Sequence, residues 1–182
     1  MRSTPRPLTD PDGRRIETDR LDLRPLTAAD LGALHELYAD PGAMRYAGGA
    51  TSSVDESEAR LRRLIEHHER HGFSLWAVVE RASGNVIGDA GLVLLEFRGP
   101  EIELAYRLKS PVWGKGYATE AAAAWVAYGF DELALARIVA VTDPDNVASQ
   151  RVLEKVGMRF ERMTSYDGAR VRLYGIQRSP AG

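Results

Sequence analysis

The sequence has no cysteine, only three lysines and no long apolar run. Without cysteine the chain forms no disulfide, offers no thiolate nucleophile and holds no cysteine-ligated zinc or iron–sulfur cluster. The 24 lysines and arginines nearly balance the 26 acids, and this net charge of −2 gives no field for gripping nucleic acid non-specifically. No segment reaches the roughly 18 apolar residues that predict a membrane span, and the N-terminus lacks the apolar core of a signal peptide. We therefore expect a cytoplasmic protein that binds neither nucleic acid nor membranes.

The rest of the composition is typical of one globular domain. Of the 182 residues, 44% are hydrophobic and 27% are charged, which is the usual balance for a folded chain of this length. Residues 1–15 are polar and contain three prolines, so we predict a flexible N-terminal segment there. Residues 16–178 form the predicted domain, residues 179–182 are a short tail, and no linker or internal repeat divides the chain.

The hydrophobic periodicity predicts a mixed α/β domain with about seven strands and about four helices. The predicted strands cover residues 21–24, 73–81, 86–96, 101–109 and 138–141, and two more flank the turn at Asp167-Gly168. The predicted helices cover residues 27–39, 54–71, 117–131 and 146–156. Residues 41–53 are rich in glycine and small side chains, and we interpret them as a loop. Trp76 and Trp125 are predicted to be core residues.

The most informative segment is the turn Trp113-Gly114-Lys115-Gly116, between a predicted strand and a predicted helix. Glycines there let the backbone turn tightly and approach a ligand. The helix N-terminus adds unpaired N–H groups and about half a positive charge, which together favour a phosphate. The spacing is neither that of a P-loop nor that of a dinucleotide fingerprint. Taken alone, this is a weak signal, because most glycine pairs at such junctions only shape the turn.

A second motif accompanies this turn. The pairing of W-G-K-G-Y-A-T-E-A with D-P-x-N-x-x-S-x-R-V-L-E-K-x-G-M, which ends at Met158, resembles the GNAT superfamily of N-acetyltransferases. More narrowly, the chain is similar to the Rim-type branch, whose members acetylate ribosomal-protein N-termini and other amines. The segments T-D-R-L-D-L-R-P-L-T, I-G-D-A-G-L and E-L-A-Y match that branch as well. The resemblance covers residues 16–178. It implies a mostly antiparallel mixed sheet that splays between strands four and five, with acetyl-coenzyme A as co-substrate.

The resemblance also implies where acetyl-coenzyme A would bind. The pyrophosphate cradle would be the main-chain amides of Gly114, Lys115, Gly116, Tyr117, Ala118 and Thr119. Trp113 stands where the superfamily often has Gln or Arg, a difference that backbone donors do not depend on. Pantetheine would pair with the fourth strand at Tyr106 and Leu108, and an amide of that strand would polarise the thioester carbonyl. Asn146 would hydrogen-bond the cofactor arm where the strands splay apart.

Acetyl transfer removes a proton from the amine and returns one to the departing thiolate. A lysine-type amine, with a pKa near 10.4, needs more help from a base than an α-amine near 7.7–8.0. We favour Glu103 as the base, beside the expected thioester position, with Asp89 as a second candidate. The alternative for Glu103 is a solvated strand carboxylate. Many superfamily members place a tyrosine acid where this chain has Leu153. Ser149 matches the Rim-type serine and is the predicted acid, directly or through water, unless it only bonds back to the preceding helical turn.

The histidine cluster and Arg151 each have a simpler interpretation than a functional one. His67, His68 and His71 lie on one predicted helix, but no accompanying carboxylate completes a metal site, so we predict an exposed helix face and no metal. Arg151 could reach the ribose phosphate of the cofactor, although a solvated helix residue is the simpler interpretation.

The sequence therefore predicts acetyl transfer to a primary amine, either a protein N-terminus or a small molecule. Because no cysteine is available to carry the acetyl group, attack would be direct, in a ternary complex. A homodimer is allowed. Two other classes stay open, namely a non-catalytic acyl-coenzyme A-binding regulatory module and a nucleotide-phosphate module unrelated to acylation.

Overall fold

The computed structural model describes residues 14–178, so the predicted tail and residues 1–13 of the predicted N-terminal segment lie outside the described residues. The strands are β1 (Ile16–Glu17), β2 (Leu21–Arg24), β3 (Leu75–Glu80), β4 (Val86–Leu94), β5 (Ile102–Leu108), β6 (Arg137–Thr142), β7 (Arg159–Tyr166) and β8 (Ala169–Gln177). The α-helices are α1 (Leu31–Ala39), α2 (Pro41–Met44), α3 (Val54–His71), α4 (Tyr117–Asp131) and α5 (Val147–Lys155). The described residues thus contain one strand and one helix more than predicted. The additional elements are β1 and α2, which are too short to show a hydrophobic periodicity in the sequence.

All eight strands form one sheet in the order β1-β2-β3-β4-β5-β6-β8-β7. Neighbouring strands are antiparallel, except that β5 and β6 are parallel and share a single pair, Glu103 with Val139. Beyond that pair the two strands diverge. The predicted fold class, a mostly antiparallel mixed sheet that splays at this junction, is confirmed.

Helices cover both faces of the sheet, and each face has its own apolar core. On one face α4 packs with Trp76 and Trp125, both fully buried as predicted, with ring centroids 4.8 Å apart. On the other face α1 and α3 bury a second cluster, which includes Ala105. Side chains alternate along a strand, so Glu103, Ala105 and Arg107 face α1 and α3, whereas Leu104, Tyr106 and Leu108 face α4.

The predicted loop at residues 41–53 begins instead with the short helix α2. Asp40 caps it by accepting hydrogen bonds from the backbone N–H groups of Gly42 and Ala43, and Pro41 occupies the first helical position. The same carboxylate accepts the backbone N–H of Ser110 at 3.0 Å and its hydroxyl at 2.6 Å. These two bonds to Ser110 contribute most to lowering the pKa of Asp40 to about 2. Asp40 therefore ties α2 to the segment that follows β5.

The prediction that the three histidines form an exposed helix face is wrong for His67. This side chain is 6% exposed, its Nδ1 lies 2.8 Å from the carbonyl of Phe73, and its Nε2 accepts the amide of Leu94. Burial lowers the pKa of His67 and so favours the neutral ring. Among residues 14–178 no group of three or more His, Cys, Asp or Glu side chains is arranged to hold a metal ion. No helix in that range is long and apolar enough to cross a membrane.

Candidate active site

A groove of about 1720 Å³ crosses the molecule where β5 and β6 diverge. It brings together ten of the eleven residues predicted for the site, namely Glu103, Tyr106, Leu108, Gly114, Gly116, Tyr117, Ala118, Thr119, Asn146 and Ser149. The eleventh, Lys115, and the second candidate base, Asp89, are not among the groove residues. The groove therefore joins the glycine turn to the predicted catalytic pair.

The glycine turn has the backbone conformation that the sequence required. Gly114 has φ +76° and Gly116 has φ +84°, a left-handed region that favours glycine. Gly116 precedes the first residue of α4, and the first N–H groups of a helix have no intrahelical partner. Within the described residues, the amides of residues 114–119 have no backbone partner, and the next amide, that of Glu120, donates to the carbonyl of Gly116. The preceding amides are thus available to an anion.

The turn is held by a residue from the other end of the chain, which the sequence analysis did not identify. Arg20 donates from Nη1 to the carbonyl of Lys115 at 2.8 Å and from Nε to Glu120 at 2.7 Å. Its guanidinium also lies 4.6 Å from the ring centroid of Tyr117. Because C=O and N–H point in opposite directions in a trans peptide, fixing the Lys115 carbonyl turns the N–H of Gly116 away from Arg20. The sequence marked both residues, since Arg20 and Glu120 each lie within a motif that carries the family resemblance.

The edge of β5 that faces β6 carries backbone groups without a strand partner. The amide of Lys109 donates to the carbonyl of Ile87, which fixes the alternation of the β4–β5 ladder. By that alternation the N–H and C=O groups of Tyr106 and Leu108 point toward β6, which pairs with β5 only at Glu103. One of these groups is taken, since Trp113 donates from its indole N–H to the carbonyl of Leu108 at 2.7 Å. The others remain open to an extended ligand.

Glu103 is a buried carboxylate and not the solvated one that the alternative interpretation required. It is 5% exposed, and its Oε2 has no hydrogen-bond partner among residues 14–178. Burial raises the pKa of Glu103 to about 7, although a hydrogen bond with Tyr166 and the charge of Arg107 act in the opposite direction. A carboxylate with this pKa can both accept and release a proton near neutral pH.

Asp89 has a different environment. Its side chain is fully buried and accepts two hydrogen bonds from Arg107, at 2.9 and 2.7 Å, and one from the Tyr38 hydroxyl at 3.1 Å. This ion pair raises the pKa of Arg107 further above its ordinary value, against the opposing effect of burial. The oxygens of Asp89 are therefore engaged beneath the groove, away from any amine that enters it.

Ser149 bonds to a tyrosine across the divergence. Its Oγ lies 2.9 Å from the hydroxyl of Tyr106, which also donates to the Ser149 carbonyl at 3.2 Å. Asn146 caps α5 by accepting the Ser149 amide through Oδ1, which leaves its side-chain NH₂ without a hydrogen bond among the described residues. Burial raises the pKa of Tyr106 to about 12, so the phenol stays protonated. Leu153, where a tyrosine acid would stand, is a core residue.

Comparison with known proteins agrees with this geometry. A family model described as an acetyltransferase (GNAT) domain matches residues 20–159. The uncharacterized N-acetyltransferase YoaA of Bacillus subtilis is 31% identical over 147 residues, which cover 80% of this chain and 83% of that protein. The crystal structure of an acetyltransferase from Agrobacterium tumefaciens, 26% identical, matches 90% of this chain and 94% of its own with a TM-score of 0.79.

A Rim-type enzyme also shares the fold. The ribosomal-protein-S5-alanine acetyltransferase of Vibrio fischeri matches 90% of this chain and 96% of its own with a TM-score of 0.74. At 20% identity, that likeness is one of fold. The matched family model, the identity to YoaA and the groove together confirm the family resemblance. The chain belongs to the GNAT acetyltransferase family and is an acetyl-coenzyme A-dependent acyltransferase.

Proposed function

We propose that this protein transfers the acetyl group of acetyl-coenzyme A to a primary amine that attacks directly, in a ternary complex, with Glu103 as the base. The observation that carries this proposal is the buried Glu103 carboxylate with its unpartnered Oε2. It lies at the one β5–β6 pair, next to the open edge that begins beyond it. An amine on the α1–α3 side and a thioester at the open edge would therefore meet at this point.

The groove fits acetyl-coenzyme A. The free amides of the glycine turn suit its pyrophosphate, and the open backbone groups of Tyr106 and Leu108 suit an extended pantetheine arm. The side-chain NH₂ of Asn146 offers a further donor at the divergence. When bound, acetyl-coenzyme A supplies the thioester carbon that the amine attacks. The Tyr106 N–H would donate to the carbonyl oxygen as negative charge develops there.

Glu103 would take the proton that the amine loses as the C–N bond forms. With a pKa of about 7 it is mostly ionised at pH 8, where it can accept a proton in a site with little water. An α-amine, with its lower pKa, would need less help than a lysine side chain. The burial of this carboxylate supports its role as a general base.

Ser149 would supply the proton that the sulfur needs as the C–S bond breaks. Its hydroxyl contacts the Tyr106 phenol at 2.9 Å, so a proton given up by Ser149 would be replaced from solvent through this phenol, which ends the step protonated. This phenol lies on β5, the strand that also carries Glu103. The Tyr106–Ser149 pair therefore performs the role that a single tyrosine would have had at Leu153.

The experiment measures two quantities on the same preparations, namely coenzyme A binding by calorimetry and thiol release over a panel of peptides and small amines. We expect Glu103→Gln and Ser149→Ala to bind coenzyme A as the wild type does while turnover falls about a hundredfold or more, the scale of losing one proton-transfer catalyst. The carboxylate of Glu101 forms an ion pair with Arg137 outside the groove. Glu101→Gln is therefore the matched control and should retain turnover. Normal binding without thiol release from any amine would instead identify a non-catalytic acyl-coenzyme A-binding module.

A further inference from the structure

One face of α3 presents two arginines to the groove. Arg60 and Arg63 both line it, one helical turn apart. The Arg60 guanidinium lies 5.5 Å from the ring centroid of Tyr38, and that of Arg63 lies 4.5 Å from the ring centroid of Phe97. Stacking on an aromatic ring restricts a guanidinium while leaving its N–H donors free. Neither arginine has an ion-pair partner within residues 14–178.

The acids on this side of the groove are mostly engaged elsewhere. Glu96 accepts the backbone N–H of Asp167 at 2.9 Å and lies 3.8 Å from Arg98, and Glu56 accepts the hydroxyl of Thr51. The third acid, Glu103, is the buried base, and the fourth, the exposed Asp167, is at the tip of the β7–β8 hairpin. We call the groove-lining side of α3 that carries Arg60 and Arg63 the α3 wall. The charges on it that have no ion-pair partner among the described residues are therefore positive.

This positive wall belongs to the acceptor side of the sheet. Glu103 faces α1 and α3, whereas the glycine turn begins α4, which packs on the opposite face. Phe97 follows the end of β4, and the residue paired with Glu103 on β4 is Val93. A molecule that brings its amine to Glu103 from the α3 side enters the groove that Arg60 and Arg63 also line.

We propose that Arg60 and Arg63 bind an anionic group, a carboxylate or a phosphate, carried by the same acceptor molecule whose amine Glu103 deprotonates. This inference rests on the proposed function. The two ends of the acceptor site have opposite charge preference, because a carboxylate attracts the incoming ammonium and the two guanidinium groups attract the anion. A polyamine, which carries only positive charge, would be repelled by the α3 wall.

The experiment uses amine pairs that differ only in the anion. Alanine is compared with alaninamide, O-phosphoethanolamine with ethanolamine, and a short peptide beginning Ala-Glu with one beginning Ala-Gln. Wild-type kcat/KM should favour the anionic member of at least one pair by about tenfold or more, the effect of one charge-assisted hydrogen bond. The pair that shows the preference distinguishes a small acid, a phosphate and an acidic peptide as the source.

The variants assign the preference to the α3 wall. Arg60→Gln/Arg63→Gln should abolish the preference through a higher KM for the anionic amine, with kcat for the neutral amine retained. Arg62→Gln is the matched control, because this arginine is on the same helix, is 68% exposed and lies near Glu66 instead of the groove. Equal use of both members of every pair, or a preference that survives in the double variant, would overturn the inference.

Equilibrium binding keeps this test independent of turnover. Calorimetric titration of the same amine pairs into the protein saturated with coenzyme A measures the charge preference directly. If no amine is acetylated, the proposed function fails, and the binding preference still decides the inference. If amines are acetylated without any charge preference in binding, only the inference fails.

Discussion

Glu103 shows how burial gives one strand carboxylate a pKa that its neighbours lack. Glu101 lies two residues earlier and pairs with Arg137, whereas Glu103 is 5% exposed with one oxygen unpartnered. Removing water from around a carboxylate disfavours its charged form, so its pKa rises. The positive charge of Arg107 on the same strand lowers the pKa of Glu103 and so opposes this rise. The opposition is only partial, because Asp89 pairs with that charge. The result is a base that titrates within the range in which enzymes work.

The pH dependence of Glu103 can be predicted with its sign. Because its pKa is raised to about 7, kcat/KM calculated for the unprotonated amine should increase as the pH rises from 6 to 8 and then level off, as the carboxylate forms. Stability should change in the opposite direction. The folded state holds this proton up to a higher pH than the unfolded state does, so raising the pH through the folded pKa costs stability. Kinetic pH profiles and urea unfolding at pH 5 and 8.5 measure the two effects.

The neutral variant Glu103→Gln separates these expectations from a general loss of structure. It should lose the pH-dependent rise in kcat/KM and should gain stability relative to the wild type at pH 8.5, with a smaller difference at pH 5. If Glu103→Gln is destabilised at both pH values by the same amount, the carboxylate is a packing residue and its role as base is wrong.

Asp89 is predicted to be a structural residue. Asp89→Asn would leave the partly buried guanidinium of Arg107 without its counter-charge, which should cost up to about 3–5 kcal/mol of unfolding free energy, the scale for a buried pair. Asp22→Asn breaks the more exposed pair with Arg15 and should cost less than about 1 kcal/mol. Urea unfolding compares the two. A stable Asp89→Asn protein that has lost acetyl transfer would instead make Asp89 a candidate base.

At the scale of the elements, the glycine turn depends on the loop between β1 and β2. Thr18 and the backbone N–H of Arg20 both donate to Glu120, at 2.6 and 2.9 Å, and the Arg20 side chain holds the Lys115 carbonyl. Residues about 100 positions apart in the chain therefore fix one peptide plane. This contact links the matched motif near the N-terminus to the glycine turn. We propose that Arg20 is a positioning residue, which would act on the proposed pyrophosphate site through the Lys115–Gly116 peptide.

Removing this support should weaken cofactor binding specifically. Arg20→Ala is expected to raise the Kd for coenzyme A about tenfold, the effect of one lost hydrogen bond to a positioned carbonyl, with kcat at saturating substrate little changed. Calorimetry with coenzyme A measures the change without turnover. The double variant Arg20→Ala/Glu120→Ala should be no weaker than either single variant, because the two side chains act as one unit.

Arg81→Ala is the matched control for this prediction. Arg81 donates to the Thr18 carbonyl at 2.8 Å, so the variant perturbs the same loop without touching Lys115 or Glu120. Its Kd for coenzyme A should stay close to that of the wild type. A common loss of affinity in the Arg20→Ala and Arg81→Ala proteins would show that the loop matters only for folding.

The sequence predicts local features of this molecule well and long-range ones poorly. Strand alternation, the Asp167-Gly168 turn and the glycine pair each follow from neighbouring residues, and the structure contains all three. The burial of Glu103 and the contact of Ser149 with Tyr106 depend on which elements meet in space, which no local pattern encodes. The prediction that His67 lies on an exposed face is wrong for the same reason, since backbone groups of Phe73 and Leu94, from other segments, hydrogen-bond to its ring. The family resemblance supplied the position of the divergence, between the fourth and fifth predicted strands.

For the whole molecule, the sheet consists of two parts joined at a weak junction. β1 to β5 form one antiparallel unit and β6, β8 and β7 form another, and within residues 14–178 Glu103 with Val139 is the only backbone pair between them. The Tyr106–Ser149 hydrogen bond and the Glu101–Arg137 ion pair add side-chain links between the two parts. A ligand held by both the open edge of β5 and α5 would add contacts between the two parts. Cofactor binding is therefore expected to stabilise the whole domain.

This expectation can be measured by unfolding with and without ligand. Acetyl-coenzyme A at 100 times its Kd should stabilise the protein by about 2.7 kcal/mol, and hydrogen exchange should slow at the amides of Tyr106, Leu108 and the glycine turn. ATP or NAD at the same concentration should stabilise it less, because neither carries a pantetheine arm for the open edge. Gly116→Ala strains a residue at φ +84° in the cradle, so it should reduce the effect of acetyl-coenzyme A. Equal stabilisation by ATP, without protection of Tyr106, would identify the groove as a general nucleotide-phosphate site and contradict a pantetheine site at β5.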